Sequence, residues 1–207
     1  MYTNKKHMFK LYTHMFGYSE IINLLFSRPD YLLNVREIAR QLHQNVAKTS
    51  KLLNELIGAG LVKYQESGRS KIVSLNFEEQ LFASFVLMSE TYKKIKFMET
   101  NGVFGEFIKQ VEKLDHVYVL VIFGSYARGT PTKESDLDML IVTDGEYKGG
   151  LPSYILPVKI HEIRMEHDLF SDALIKKEAL LKEILENHVI IKGLDMFIGD
   201  IIEKYGK

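Results

Sequence analysis

VYVLVIFGSYARGTPTKESDLDMLIV, Val117 to Val142, is the stretch whose reading decides the fold. Val117–Phe123 is an almost unbroken apolar run, as expected of a strand buried on both faces. It ends at Gly124-Ser125, and ten residues, including Gly129 and Pro131, separate Ser125 from Asp136. A second strand is expected from Asp136-Leu137-Asp138 through Met139–Val142. Side chains alternate across a strand, so Asp136 and Asp138 are expected side by side, with Leu137 and Met139 on the opposite face. Adjacent carboxylates repel unless something positive lies between them. A hard divalent ion meets that need, and magnesium is often held by one or two carboxylates together with substrate phosphates. Gly124 permits a sharp turn and close approach of the backbone. A helix starting at Ser125 would offer N–H groups and a hydroxyl to an anion. Phosphate beside metal is the arrangement that phosphoryl-group chemistry requires. The bland alternative is a loop whose two aspartates are simply solvated at a strand start.

The pattern Gly124-Ser125, ten residues, Asp136-x-Asp138 resembles the signature of the DNA polymerase beta-type nucleotidyltransferases, especially their minimal branch. The resemblance implies a mixed sheet with flanking helices and transfer of a nucleoside monophosphate from an NTP, ATP for preference. It implies Mg²⁺ or Mn²⁺ held by Asp136 and Asp138, and phosphates held by Gly124 and Ser125. Members of the family carry a third acid on the strand after the Asp-x-Asp strand. Tyr154–Met165 is expected to be that strand, with Glu162 the candidate for metal binding and for accepting a proton from the attacking hydroxyl. On it Val158, Ile160, Glu162 and Arg164 share one face, while Lys159, His161 and Ile163 share the other; His161 reads as structural. Arg128 and Lys133 stand close enough in sequence to meet phosphates.

Composition sets wider bounds. The chain has 207 residues, enough for one large or two small domains, and no cysteine. Disulfides and thiolate metal sites are therefore excluded, and a cytoplasmic home is expected. No apolar run reaches membrane-spanning length, and the N-terminus lacks a signal-peptide pattern. The net charge is zero but unevenly spread: residues 1–76 hold 11 Lys and Arg against 5 Asp and Glu, leaving an acidic remainder. That split points to two modules with different partners, the basic one suited to nucleic acid.

Within the basic part, residues 1–17 show no clean period and are expected to form a strand or a packed arm. Tyr18–Ser27 has the apolar stripe of a helix. Asn34 with Glu37 predicts a capping box opening Val35–Leu42. A second helix is expected over Val46–Ile57, and strands over Leu61–Gln65 and Lys71–Leu75 around Gly68. Two short helices joined by a tight turn form a helix-turn-helix pattern, whose second helix presents its N-terminal residues to base edges. Those residues are Asn45, Lys48, Thr49, Ser50 and Lys51. With the hairpin, residues 18–76 resemble winged-helix regulators of the MarR and ArsR type. That resemblance implies Arg69 and Lys71 as phosphate or minor-groove contacts, double-stranded DNA as partner, and a homodimer if the site read is palindromic.

The fold class expected is therefore α+β in two domains: 1–90, a winged helix-turn-helix with a trailing linker helix, and 91–207, the nucleotidyltransferase. Single helices are expected over 77–100, Val103–Leu114, Phe170–Glu186 and Leu194–Tyr205, with a short strand at Val189–Ile191. The leading functional expectation is a Mg²⁺-dependent nucleotidyltransferase with an unknown acceptor, joined to a DNA-binding module. The rival expectation is a DNA-binding regulator whose transferase fold senses nucleotide or docks a partner. Minimal nucleotidyltransferases often resemble antitoxins that accompany HEPN-type toxins, and no HEPN segment is visible here, so any toxin would be a separate protein.

Overall fold

A computed structural model describes residues 15–29, 32–68, 70–145 and 149–206. The expected arm at residues 1–17 falls largely outside them, as do Arg69 and the middle of the polar loop after Val142. The chain divides into two compact units, one ending at Ser89 and taking in Tyr205, the other spanning Glu90–Lys204.

In the first unit, helix α1 (Met15–Phe26) buries Tyr18, Ile21, Ile22, Leu25 and Phe26. Strand β1 (Leu33–Asn34) leads directly into α2 (Val35–Gln41). The expected capping box is present: Asn34 Oδ1 accepts from the Arg36 and Glu37 amides at 3.0 and 3.1 Å, and Glu37 Oε2 accepts from the Asn34 amide at 2.9 Å. These bonds satisfy N–H groups that no helix can satisfy internally. A turn through His43, at φ 51°, leads to α3 (Val46–Gly58), which Asn45 caps by accepting from Ala47 N at 2.8 Å. Strands β2 (Val62–Ser67) and β3 (Ser70–Leu75) form an antiparallel hairpin, and β1 joins its β3 edge to give a three-stranded sheet of order β1-β3-β2. Ile38, Leu52, Leu53, Leu56 and Val73 complete the buried interior of this unit.

The long helix α4 (Phe82–Thr100) is followed by a 3-10 turn at Gly102–Phe104 and by α5 (Gly105–Val111). Strand β4 (Val117–Ile122), the short helix α6 (Gly124–Arg128) and strand β5 (Leu137–Thr143) carry the deciding stretch. Strand β6 (Ile160–Glu166) comes next, then α7 (His167–Ile175), α8 (Ala179–Glu186), β7 (Val189–Lys192) and α9 (Leu194–Tyr205). The sheet order is β6-β5-β4-β7; β4 is antiparallel to both neighbours, and β5 runs parallel to β6. The sheet is thus mixed, with helices flanking it, as expected for the nucleotidyltransferase fold.

Both faces of the two inner strands are covered, which is why their sequences run almost without a polar residue. Leu120, Ile122, Leu137, Met139 and Ile141 pack with Phe97, Phe104, Phe107, Ile108 and Val111. On the other face Val119, Val121, Leu140 and Val142 are also fully buried, and α7 packs against β5 and β6. Phe170 and Phe197 pack on each other with ring centroids 5.9 Å apart and planes tilted by 33°.

Three expected boundaries are corrected. Strand β5 starts at Leu137, so Asp136 precedes it rather than lying on it. The third strand starts at Ile160, since Ser153–Ile155 forms a 3-10 turn stopped by the extended Leu156. The helix expected over Phe170–Glu186 is two helices, because Lys177 takes a left-handed conformation at φ 54°. Among the described residues no helix is long and apolar enough to cross a membrane.

One polar cluster is largely buried in the second unit, with the Lys93 side chain 23% exposed. The Glu90 and His188 side chains are 0% exposed, with 3.3 Å between Glu90 Oε2 and His188 Nε2. Lys93 Nζ lies 2.8 Å from Glu90 Oε1 and 3.1 Å from His188 Nε2. His188 Nδ1 lies 2.8 Å from the Leu185 carbonyl, which only accepts, so Nδ1 carries the proton. Burial pushes the Glu90 carboxyl up, but Lys93 and His188 more than offset this and hold it down at about 2. A carboxyl lowered from its ordinary 4.5 stabilises the fold fully above that value, and the contribution is lost as pH falls toward about 2. Removing one partner strands a buried charge, so Glu90→Gln is expected to cost roughly 3–5 kcal/mol in urea denaturation at neutral pH. The gap between variant and wild type should close as the denaturation is repeated from pH 5 down to about pH 2, because the wild-type carboxyl then takes up its proton.

Candidate active site

Chain direction changes abruptly at the end of β4. Phe123 is extended, Gly124 turns to φ +68°, and α6 begins. Gly124 is buried, and a Cβ placed there would lie 2.2 Å from Asp138 Oδ2 and 3.1 Å from its Cγ. The Asp138 carboxylate therefore rests on the glycine backbone, in space that any side chain at 124 would fill. The positive φ imposes the same choice independently, because L-residues rarely adopt it. The Phe123 amide donates to the Asp138 carbonyl at 3.0 Å and locks the two strand ends together.

Ser125 is half-buried in the first turn of α6, and its carbonyl accepts from the Thr130 amide at 3.0 Å. Arg128 closes this turn and is exposed. Gly129, at φ +73°, ends it in the left-handed conformation that terminates many helices. The connection to β5 is organised by Thr132 and Ser135: Ser135 Oγ accepts from the Thr132 amide at 2.9 Å, and the hydroxyls lie 3.1 Å apart. Lys133 is exposed in this connection. The Leu137 amide then donates to the Lys159 carbonyl at 2.8 Å, which starts the pairing with β6. Asp136 is exposed just before the strand, while the Asp138 side chain is 29% exposed.

The register of β6 decides which of its residues meets Asp138. Asp138 pairs with His161, and Met139 pairs with Glu162. Paired residues on neighbouring strands point to the same side, so His161 shares the face of Asp138 and Glu162 shares that of the buried Met139. His161 Nδ1 lies 3.0 Å from Asp138 Oδ1. Glu162 is instead tied to Arg164, whose Nε and Nη2 donate to its Oε2 at 2.9 and 2.5 Å, while Arg164 Nη1 donates to the Gly149 carbonyl at 2.8 Å. This register sets Glu162, the expected third acid, on the face opposite Asp138. His161, which read as structural, occupies the place beside Asp138.

Residues 105–205 match the family model of the nucleotidyltransferase domain. This match supports the polymerase beta-like superfamily for the second unit, and it supports a transferase whose general chemistry moves a nucleoside monophosphate. No match was found among curated proteins or among solved structures. The second unit brings Gly124, Ser125 and Asp138 together at one end of its sheet, with Asp136 adjoining in sequence. Among the described residues no group of three or more His, Asp or Glu is placed to hold a metal ion. Carboxylates such as those of Asp136 and Asp138 are the donor chemistry that suits a hard cation, whose shell phosphate and water oxygens can complete.

The residues expected to touch DNA divide differently. Lys48 and Lys51 are exposed and Ser50 is half-buried near the start of α3. Asn45 is exposed, but its side-chain oxygen is engaged in the cap. Thr49 is corrected: it is 0% exposed, and its hydroxyl donates to the Asn45 carbonyl at 3.1 Å, so it faces the interior. Helical periodicity already placed Thr49 near the stripe of Leu52, Leu53 and Leu56. Lys71 is exposed with its ammonium 4.6 Å from the Tyr64 ring centroid. Arg69 lies outside the described residues.

Gly124→Ala tests the close approach. The added methyl must displace the Asp138 carboxylate and strain the turn, at a cost of roughly 1–2 kcal/mol for the left-handed conformation alone. Chemical denaturation should show that loss, and calorimetric titration with ATP and Mg²⁺ should show at least a tenfold weaker complex.

Proposed function

We propose that the protein transfers a nucleoside monophosphate, from ATP for preference, to a hydroxyl-bearing acceptor. The observation that carries this reading is the seating of Asp138 against Gly124 at the end of β4, with Ser125 and Asp136 adjoining them in sequence. In this reading Asp136 and Asp138 hold one Mg²⁺ or Mn²⁺, which supplies charge neutralisation on the triphosphate. Gly124 and Ser125 receive the phosphates, with Arg128 and Lys133 as further phosphate contacts. The acceptor hydroxyl oxygen forms its bond to the α-phosphorus as the bridging bond to the β-phosphate breaks; pyrophosphate leaves and the hydroxyl proton passes to water.

The first unit, in the same proposal, is a winged helix that binds double-stranded DNA, with α3 in the major groove and the β2–β3 hairpin as the wing. Exposed Lys48 and Lys51 at the head of a capped helix support this reading, as does the basic balance of residues 1–76. A palindromic target would call for a homodimer. A second reading is favoured by one observation, the absence of an acid beside Asp138 on β6: a DNA-binding regulator or antitoxin-like protein whose transferase fold senses nucleotide or docks a separate HEPN-like toxin.

Label transfer from α-³²P-ATP to candidate acceptors, in Mg²⁺, separates the two. The first reading expects transfer that Asp136→Asn with Asp138→Asn reduces roughly 100-fold or more, a loss of the size seen when transition-state charge goes unstabilised. Nucleotide binding with no transfer from any acceptor would favour the sensor reading.

The DNA proposal predicts that Lys48→Ala and Lys51→Ala each weaken binding to the protein's own promoter fragment. Each should also reduce the steepness of the salt dependence by about one phosphate contact, as measured by fluorescence anisotropy across a salt series.

A further inference from the structure

We infer that His161 restricts this site to a single divalent cation. The inference rests on the nucleotidyl-transfer reading and concerns how that site is loaded. Asp138 and His161 are paired in register on adjacent parallel strands, so the residue at 161 is the β6 side chain nearest the Asp138 carboxylate on the same face. Two-cation sites place their ions about 3.5–4 Å apart and need shared, negatively charged ligands to do so. From this position a carboxylate would share a second ion with Asp138. An imidazole does not.

The geometry blocks the second ion in two ways. A carboxylate only accepts hydrogen bonds, so His161 Nδ1 is the donor in the 3.0 Å contact with Asp138 Oδ1, and neither atom of that contact is left free on that side. The other ring nitrogen, Nε2, lies across the ring and cannot bridge back to the same oxygen. Asp138 Oδ2 is the atom set over the Gly124 backbone. The acid that could have compensated, Glu162, is on the opposite face and held by Arg164. The same Nδ1–H bond makes His161 a positioning residue, because it fixes the rotation of the carboxylate that grips the cation. Carboxylate–histidine pairs of this kind orient metal ligands in other sites.

The test counts ions rather than turnover. Mn²⁺ binding is measured by electron paramagnetic resonance on the full chain with an ATP analogue whose α,β-bridge is methylene. Wild type is expected to hold one Mn²⁺ per chain. His161→Asp is expected to hold two, and the side chain is 63% exposed, so the fold should tolerate it. His161→Ala should remain at one, with affinity lowered about tenfold as Asp138 loses its fixed orientation. Two ions in the wild type, or a single ion in folded His161→Asp, would overturn the inference and leave nucleotidyl transfer standing. No Mn²⁺ retained with the nucleotide in any variant would overturn both.

Discussion

The contact between the Asp138 carboxylate and the bare backbone of Gly124 is the constraint on which the nucleotidyltransferase domain turns. It brings the end of β4 and the start of β5 closer than any side chain at 124 allows. The strand ends are held there by the Phe123–Asp138 backbone bond and by burial of Leu137 and Met139 directly beside the acid. A partly exposed carboxylate flanked by fully buried apolar neighbours has little freedom to move away. The site is therefore built into the sheet rather than hung on a loop.

Burial around β4 and β5 supplies the platform. Aliphatic side chains on both faces anchor the strands, so their polar ends can be spent on function without loss of the core. The Glu90–Lys93–His188 cluster shows the cost of the alternative. Three polar side chains are tolerated inside because each is matched by another, and the Leu185 carbonyl fixes the imidazole. Asp138 needs no such closed network, because its face opens to solvent and leaves room for a ligand.

The β5–β6 register sets the chemical limits of the site. A parallel pairing shifted by one residue would have turned Glu162 toward Asp138 and His161 toward the face of the buried Met139. As paired, the acid belongs to Arg164 and the imidazole belongs to Asp138. This arrangement keeps Gly124 and Asp138 together and sets an imidazole, not a carboxylate, beside them on the following strand.

Much of this was legible in the chain itself. The unbroken apolar runs announced central strands, the Asn34–Glu37 spacing announced a capped helix, and Gly124-Ser125 with Asp136-x-Asp138 announced a sharp turn and the strand that follows it, because each pattern answers to local geometry of turns, caps and alternation. Alternation also sorted His161 and Glu162 onto opposite faces. Which face would meet Asp138 was decided only by tertiary structure: a register is a property of two strands together, and it was settled by the packing of Ile160 and Leu137 against the core and by the Leu137–Lys159 bond. The same holds for Thr49, whose hydroxyl read as available for DNA until the fold closed over it and gave it the Asn45 carbonyl as partner. Local pattern determines what each segment becomes, and only contacts between segments far apart in sequence determine which side chains finally share a site.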